Sequence, residues 1–136
     1  IVIGSSGLIP RAWHWSYLRH GAPQVHGRFE RMHERRMTEE DWAAWVAMRA
    51  VAEALVRFQD NENFSFRNAF IDESFKLDGS KGPILNFRPW NRQLRQPIML
   101  STENWVTSIA PLNSFVHREN NLDTIGMDNK TSKCAN

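Results

Sequence analysis

Residues 38–58 read as a helix that is apolar around most of its circumference. Trp42, Trp45, Val46, Met48, Val51, Leu55 and Val56 stand among alanines at 43, 44, 47, 50, 52 and 54. Only Arg49, Glu53 and Arg57 form a charged row, at i, i+4 and i+8, the pattern of a solvated ion-pair stripe. A helix with so narrow a polar face has to be covered on several sides, by a sheet and by further helices. At 136 residues the chain is one domain or a part of a larger body. The expectation is therefore incompleteness: more apolar surface than this polypeptide covers, with missing or foreign material shielding it and the isolated chain poorly soluble or molten.

The start of that helix is marked in the sequence. Thr38 can cap it, Asp41 stands three residues later as the reciprocal partner, and Glu39 and Glu40 suit the positive end of the helix dipole. Met37 and Trp42 are placed for a hydrophobic staple.

The first residues, Ile1-Val2-Ile3-Gly4, read as the interior of a central parallel strand, as though at a cut end, running into Gly4-Ser5-Ser6-Gly7. In open α/β sheets, ligands bind in loops at the C-terminal ends of strands. Ser5, Ser6 and Gly7 are thus candidate ligand-binding residues, the alternative being a hinge between lobes. Next comes an aromatic patch in which Trp13, Trp15 and Tyr17 alternate with His14, Arg19 and His20. Trp13, His14 and Trp15 are candidates for an aromatic wall against an apolar or cationic ligand. Packing against the rest of the fold is the alternative.

Further along, Val25, Phe29, Met32 and Arg36 lie at the spacing of one helix face over residues 24–36, and residues 64–75 read as a short helix with Phe66, Phe70 and Ile71 inward. Asp78-Gly79 and Lys81-Gly82-Pro83 are turn signals. Residues 84–87 and 96–101 read as strands, the latter pairing with residues 105–110 in a hairpin-like unit. After Pro111 apolar residues thin out, and residues 128–133 read as a frayed or partner-bound tail.

Several chemistries find no support. A formal charge of +2 is too near balance to point to nucleic acid, and no stretch reaches 18 apolar residues, so no membrane-spanning helix is expected. Cys134 is the only cysteine, which leaves no intrachain disulfide. His26 and His33 stand about two turns apart, too far to share one ion, and no His-Glu-x-x-His occurs, so no metal is expected. The Gly-Ser loop is followed by neither the Lys-Ser/Thr pair of a P-loop nor a dinucleotide fingerprint, and Ser5 and Ser6 lack a Gly-x-Ser-x-Gly elbow. Neither a cofactor nor enzymatic catalysis is expected.

Taken in order, these segments resemble one family: Gly4-Ser5-Ser6-Gly7-Leu8, Ala12-Trp13-His14-Trp15, His20-Gly21-Ala22-Pro23-Gln24, Arg36-Met37-Thr38, Asp41-Trp42-Ala43-Ala44-Trp45, Phe87-Arg88-Pro89-Trp90, Gln93-Leu94-Arg95-Gln96-Pro97 and Asn121-Leu122-Asp123-Thr124. The chain resembles the C-terminal part of ABC-transporter substrate-binding proteins associated with pyrroloquinoline quinone-dependent alcohol oxidation, relatives of the branched-chain amino acid binding proteins. The resemblance implies an α/β type I periplasmic binding fold, a parallel sheet flanked by helices in two lobes joined by crossovers. Residues 1–110 would contribute to both lobes and residues 111–136 would form an extended tail. It also implies a periplasmic location, a small organic ligand, and as partners the ABC transporter membrane subunits or a quinoprotein dehydrogenase system, with a missing N-terminal lobe or a protein partner over the apolar faces. The alternative is a non-catalytic accessory subunit docked on a larger complex. Asn91-Arg92 stands where the resemblance leads one to expect an Asp-Gly turn before Gln93.

Overall fold

The computed structural model describes residues 7–112, 114 and 117–124. In chain order these form strand β1 (Ile9–Arg11), helices α1 (Ala22–His33), α2 (Glu39–Phe58) and α3 (Phe66–Ile71), strands β2 (Leu77–Asp78), β3 (Ile84–Phe87), β4 (Leu94–Arg95), β5 (Ile98–Ser101) and β6 (Val106–Ala110), and a 3₁₀ turn over Asn121–Thr124. The fold is mixed α and β. Two three-stranded sheets, in the orders β1-β5-β6 and β2-β3-β4, are antiparallel throughout. A parallel sheet is the expectation from sequence, so the described strands differ from it. The physical reason lies in the connections: β2 to β3, β3 to β4 and β5 to β6 are joined by short turns, whereas parallel neighbours need a crossover of about a dozen residues or more. The expected parallel strand over residues 1–4 lies outside the described residues.

The sequence signals at α2 are realised in geometry. Thr38 Oγ1 accepts from Asp41 N at 3.4 Å, and Asp41 Oδ2 accepts from Thr38 N at 2.8 Å. Arg35 grips the same carboxylate with two N–H groups, at 2.6 and 2.8 Å, and this guanidinium, with the Thr38 amide, holds Asp41 well below the usual carboxylate range. Trp42, Val46, Ala50 and Ala54 point inward at four-residue intervals. Trp42 stacks on Trp13 with centroids 6.2 Å apart and planes 10° from parallel, and its Nε1–H donates to Gly79 O at 3.0 Å. Gly79 has to be glycine here, because a Cβ would stand 2.4 Å from Leu85 Cδ1. Phe75, Leu77, Leu85 and Met99 complete the core.

The other side of α2 faces solvent and, beyond Glu40 in the first turn, is made of small and apolar side chains. Ala43, Ala44, Ala47 and Ala52 are exposed there, as are Met48 (70%), Val56 (76%) and Leu55 (39%). Arg49, Glu53 and Arg57 run along its flank as an i, i+4 ladder.

Helices α1 and α3 are shorter than the periodicity predicts. Glu34 adopts a left-handed conformation that ends α1, and Phe66, expected inward, is 40% exposed at the first position of α3 after its Ser65 cap. The β5/β6 hairpin forms, with one extra residue at Thr107: Leu100 faces Ser108 while Ser101 faces Val106. This bulge puts Val106 and Ile109 on the same core-facing side despite their odd spacing.

Within residues 111–136, expected as an extended tail, the 3₁₀ turn folds back on the domain with Leu122 and Asp123 buried. Residues 128–133 lie outside the described residues.

Candidate functional site

After β1 the chain bends sharply, with Tyr17 N bonded to His14 O and Ala22 N to Arg19 O, and His20 (φ 54°) and Gly21 (φ 82°) both take left-handed backbone to enter α1. Ser16 pins this bend to β6, its Oγ accepting from Val106 N at 3.1 Å. A second segment meets it at Gly82 (φ 102°), where a Cβ would come within 3.0 Å of the His20 ring. Between the bend, residues 81–84, β6 and the 3₁₀ turn opens a solvent-accessible groove of about 1040 Å³. That is the scale of a small-molecule site, which typically runs to about 300–1,000 Å³.

Lys81 anchors the groove's floor. Although only 1% exposed, its ammonium donates to Ala12 O (2.6 Å), Gln96 Oε1 (2.5 Å) and Pro97 O (3.0 Å), and its Nζ lies 3.9 Å from the centre of the Trp42 ring. Burial pulls its pKa down to about 7, against a smaller upward pull from Glu39. The 3₁₀ turn is anchored by Asp123, whose carboxylate accepts from Arg88 Nε at 2.6 Å and from Arg95 Nε at 2.9 and 3.0 Å. Burial pushes the Asp123 carboxyl up, but the bonds from Arg95 and Arg88 outweigh it and the net direction is down.

His14 and Ser16 form a buried pair at 2.8 Å. Glu103 O, 3.2 Å from His14 Nε2, can only accept, so the partners assign the ring proton to Nε2 and leave Nδ1 to accept from the Ser16 hydroxyl and amide. Burial, opposed by the Glu103 bond and helped by Arg11 and Arg36, lowers the His14 pKa and keeps the ring neutral.

The residues singled out from sequence stand apart from this groove. Trp13 is 1% exposed and stacked in the core, where it cannot wall a cleft. His14 is buried beneath Ser16, and Trp15 carries the Arg36 guanidinium 3.7 Å above its ring, so an internal cation occupies that face. Gly7 is exposed and does not line the groove; Ser5 and Ser6 lie outside the described residues. The walls begin one residue later, at Ser16 and Tyr17, and take in Arg19 and His20 from the same aromatic patch. Lys81 and the Arg88/Arg95/Asp123 cluster carried no local signal beyond a turn dipeptide. Among the described residues, no group of three His, Cys, Asp or Glu side chains is placed to hold a metal, and no helix is long and apolar enough to cross a membrane.

Compared with known proteins, the chain matches no family model, no curated protein and no solved structure.

Proposed function

We propose that this chain is the C-terminal portion of a solute-binding protein that captures a small organic ligand in the groove and presents it to ABC transporter membrane subunits. In this reading it works in the periplasm and serves transport linked to quinoprotein alcohol metabolism without catalysing a reaction itself. The observation that carries the binding half of the proposal is the groove of about 1040 Å³, whose walls come from segments distant in sequence and are tied together by buried polar anchors. The ordered resemblance of segments supports the transport half. Arg88, Arg95 and Asp123, from three of those segments, meet in one cluster. Trp105 lines the groove and is 58% exposed, so its fluorescence can report occupancy. Titration with small alcohols, aldehydes, acids and amino acids is expected to change tryptophan emission saturably for at least one class, and Trp105→Phe to remove that signal. Silence across all four classes overturns the binding reading.

A second reading, the accessory subunit, is favoured by the exposed apolar residues Met48, Leu55 and Val56 on the outer face of α2. It predicts that the chain remains silent in the same titrations and gains solubility when Met48 and Val56 are replaced by Glu.

A further inference from the structure

This inference rests on the ligand-binding reading and names the chemistry the groove selects. We propose that the groove takes a small organic anion, a carboxylate on an apolar body, with the charged end at Tyr17, Arg19 and His20.

The apolar requirement comes from four large side chains on the groove that remain open to solvent: Leu18 (64%), Ile84 (52%), Trp105 (58%) and Leu112 (50%). Such a patch in water is covered favourably by hydrocarbon or an aromatic ring. The charge requirement comes from the basic residues Arg19, His20 and Lys81 along the groove, against one carboxylate, Glu119. These residues differ in what they can offer. Lys81 directs its Nζ to Ala12, Gln96 and Pro97, so it offers no hydrogen bond to a ligand. Arg19 is exposed, lines the groove, and has no ion-pair or hydrogen-bond partner for its guanidinium among the described residues. Tyr17 is 6% exposed, yet its hydroxyl has no hydrogen-bond partner among the described residues. Burial raises its pKa against a smaller downward pull from Arg19, so the phenol stays protonated. A phenol donor and a guanidinium on one groove are both groups that hydrogen-bond a carboxylate. The positive end of α1 begins just after His20, and no acidic residue in its first turn offsets it. Glu119, the opposing charge, disfavours a second anionic group on the ligand.

The test uses the full chain and two isosteric probe sets, benzoate, benzyl alcohol and benzylamine, and hexanoate, 1-hexanol and hexylamine, with binding read by calorimetry and tryptophan emission. The carboxylate of each set is expected to bind about tenfold or more tightly than the alcohol, with the amine weakest. Its binding should weaken as sodium chloride rises while that of the alcohol does not. Arg19→Gln is expected to cost the carboxylates about tenfold and to leave the alcohols unchanged, and Tyr17→Phe to act in the same direction less strongly; both changes are at positions that leave the core intact or nearly so. Alcohols or amines binding as well as the carboxylates, or Arg19→Gln weakening all probes alike, overturns the anionic preference and leaves the groove as a binding site. No binding of any probe overturns both.

Discussion

Lys81 and Asp123 are buried charges that anchor two walls of one groove by opposite means. Asp123 meets its charge complement directly, in two guanidiniums at 2.6 and 2.9 Å. Lys81 has no carboxylate in contact and rests on neutral oxygens and an indole face. The difference extends to what each one holds. Lys81 joins the end of β1, the turn before β3 and the start of β5, so three distant parts of the core depend on it. Asp123 joins a peripheral 3₁₀ turn to the β3/β4 hairpin. Loss of the first should unravel the fold, and loss of the second should release one wall.

The largest effect tests Lys81. Its folded-state pKa, about 7, lies below the ordinary 10.5, so between those values the unfolded chain binds more protons and stability rises with pH. The rise is expected to be on the order of 3 kcal/mol, measured by urea unfolding from pH 7 to 10. Lys81→Met abolishes the rise, and at pH 10 it lies about 2–4 kcal/mol below the wild type because Ala12 O and Pro97 O lose their donor. A pH-independent wild type would show that the oxygen cage and the Trp42 face hold the ammonium as well as a carboxylate would, and the contrast between the two anchors would vanish.

Acid tests the other anchor. The Asp123 carboxyl titrates below its ordinary 3.8, so its contribution is present above that pH and is lost as pH falls through the folded-state value. Residues 117–124 should therefore lose amide protection in acid before the core does. Asp123→Asn reproduces this at neutral pH, at a cost of about 1–2 kcal/mol confined to that segment in hydrogen exchange. If Asp123→Asn instead lowers the global urea midpoint as much as Lys81→Met does, the segment is integral to the core and the local-against-global distinction is wrong.

The same contrast separates what could be read in the sequence from what could not. The cap of α2 was legible because Thr38 and Asp41 are three residues apart and act on each other. The β5/β6 hairpin was legible because its strands adjoin in sequence, although the bulge at Thr107 was not. Strand β1 carries Pro10 and pairs with β5 across nearly the whole chain, so neither periodicity nor neighbourhood announced it. Lys81 sits in a Lys-Gly-Pro turn and reads as solvated; only the convergence of Ala12, Gln96 and Pro97 makes it a core residue. In the aromatic patch, which rings face the core depends on Trp42 stacking on Trp13 and Arg36 covering Trp15, neither of which is visible locally. Tyr17, Arg19 and His20 were left to face the groove.

The smallest effect refines the peripheral anchor. Arg88 and Arg95 flank a tight loop in which Arg92 adopts φ 59°, the left-handed backbone that the expected Asp-Gly turn would give to glycine. The conformation is held by Arg92 N bonding Arg88 O at 2.8 Å and by Asn91 Oδ1 accepting from Gln93 N at 3.0 Å. A side chain there costs about 1–2 kcal/mol, of which glycine's extra freedom in the unfolded chain returns a part. Arg92→Gly is thus expected to stabilise by about 0.5–1 kcal/mol. Because this loop positions both guanidiniums, the gain should appear as slower exchange in residues 117–124 as well as in the hairpin, with the Lys81-dependent pH rise unchanged. A gain in the hairpin alone would mean that Asp123 finds its arginines regardless of how the loop between them is held, which would place the strength of that anchor in the ion pairs themselves rather than in the backbone that presents them.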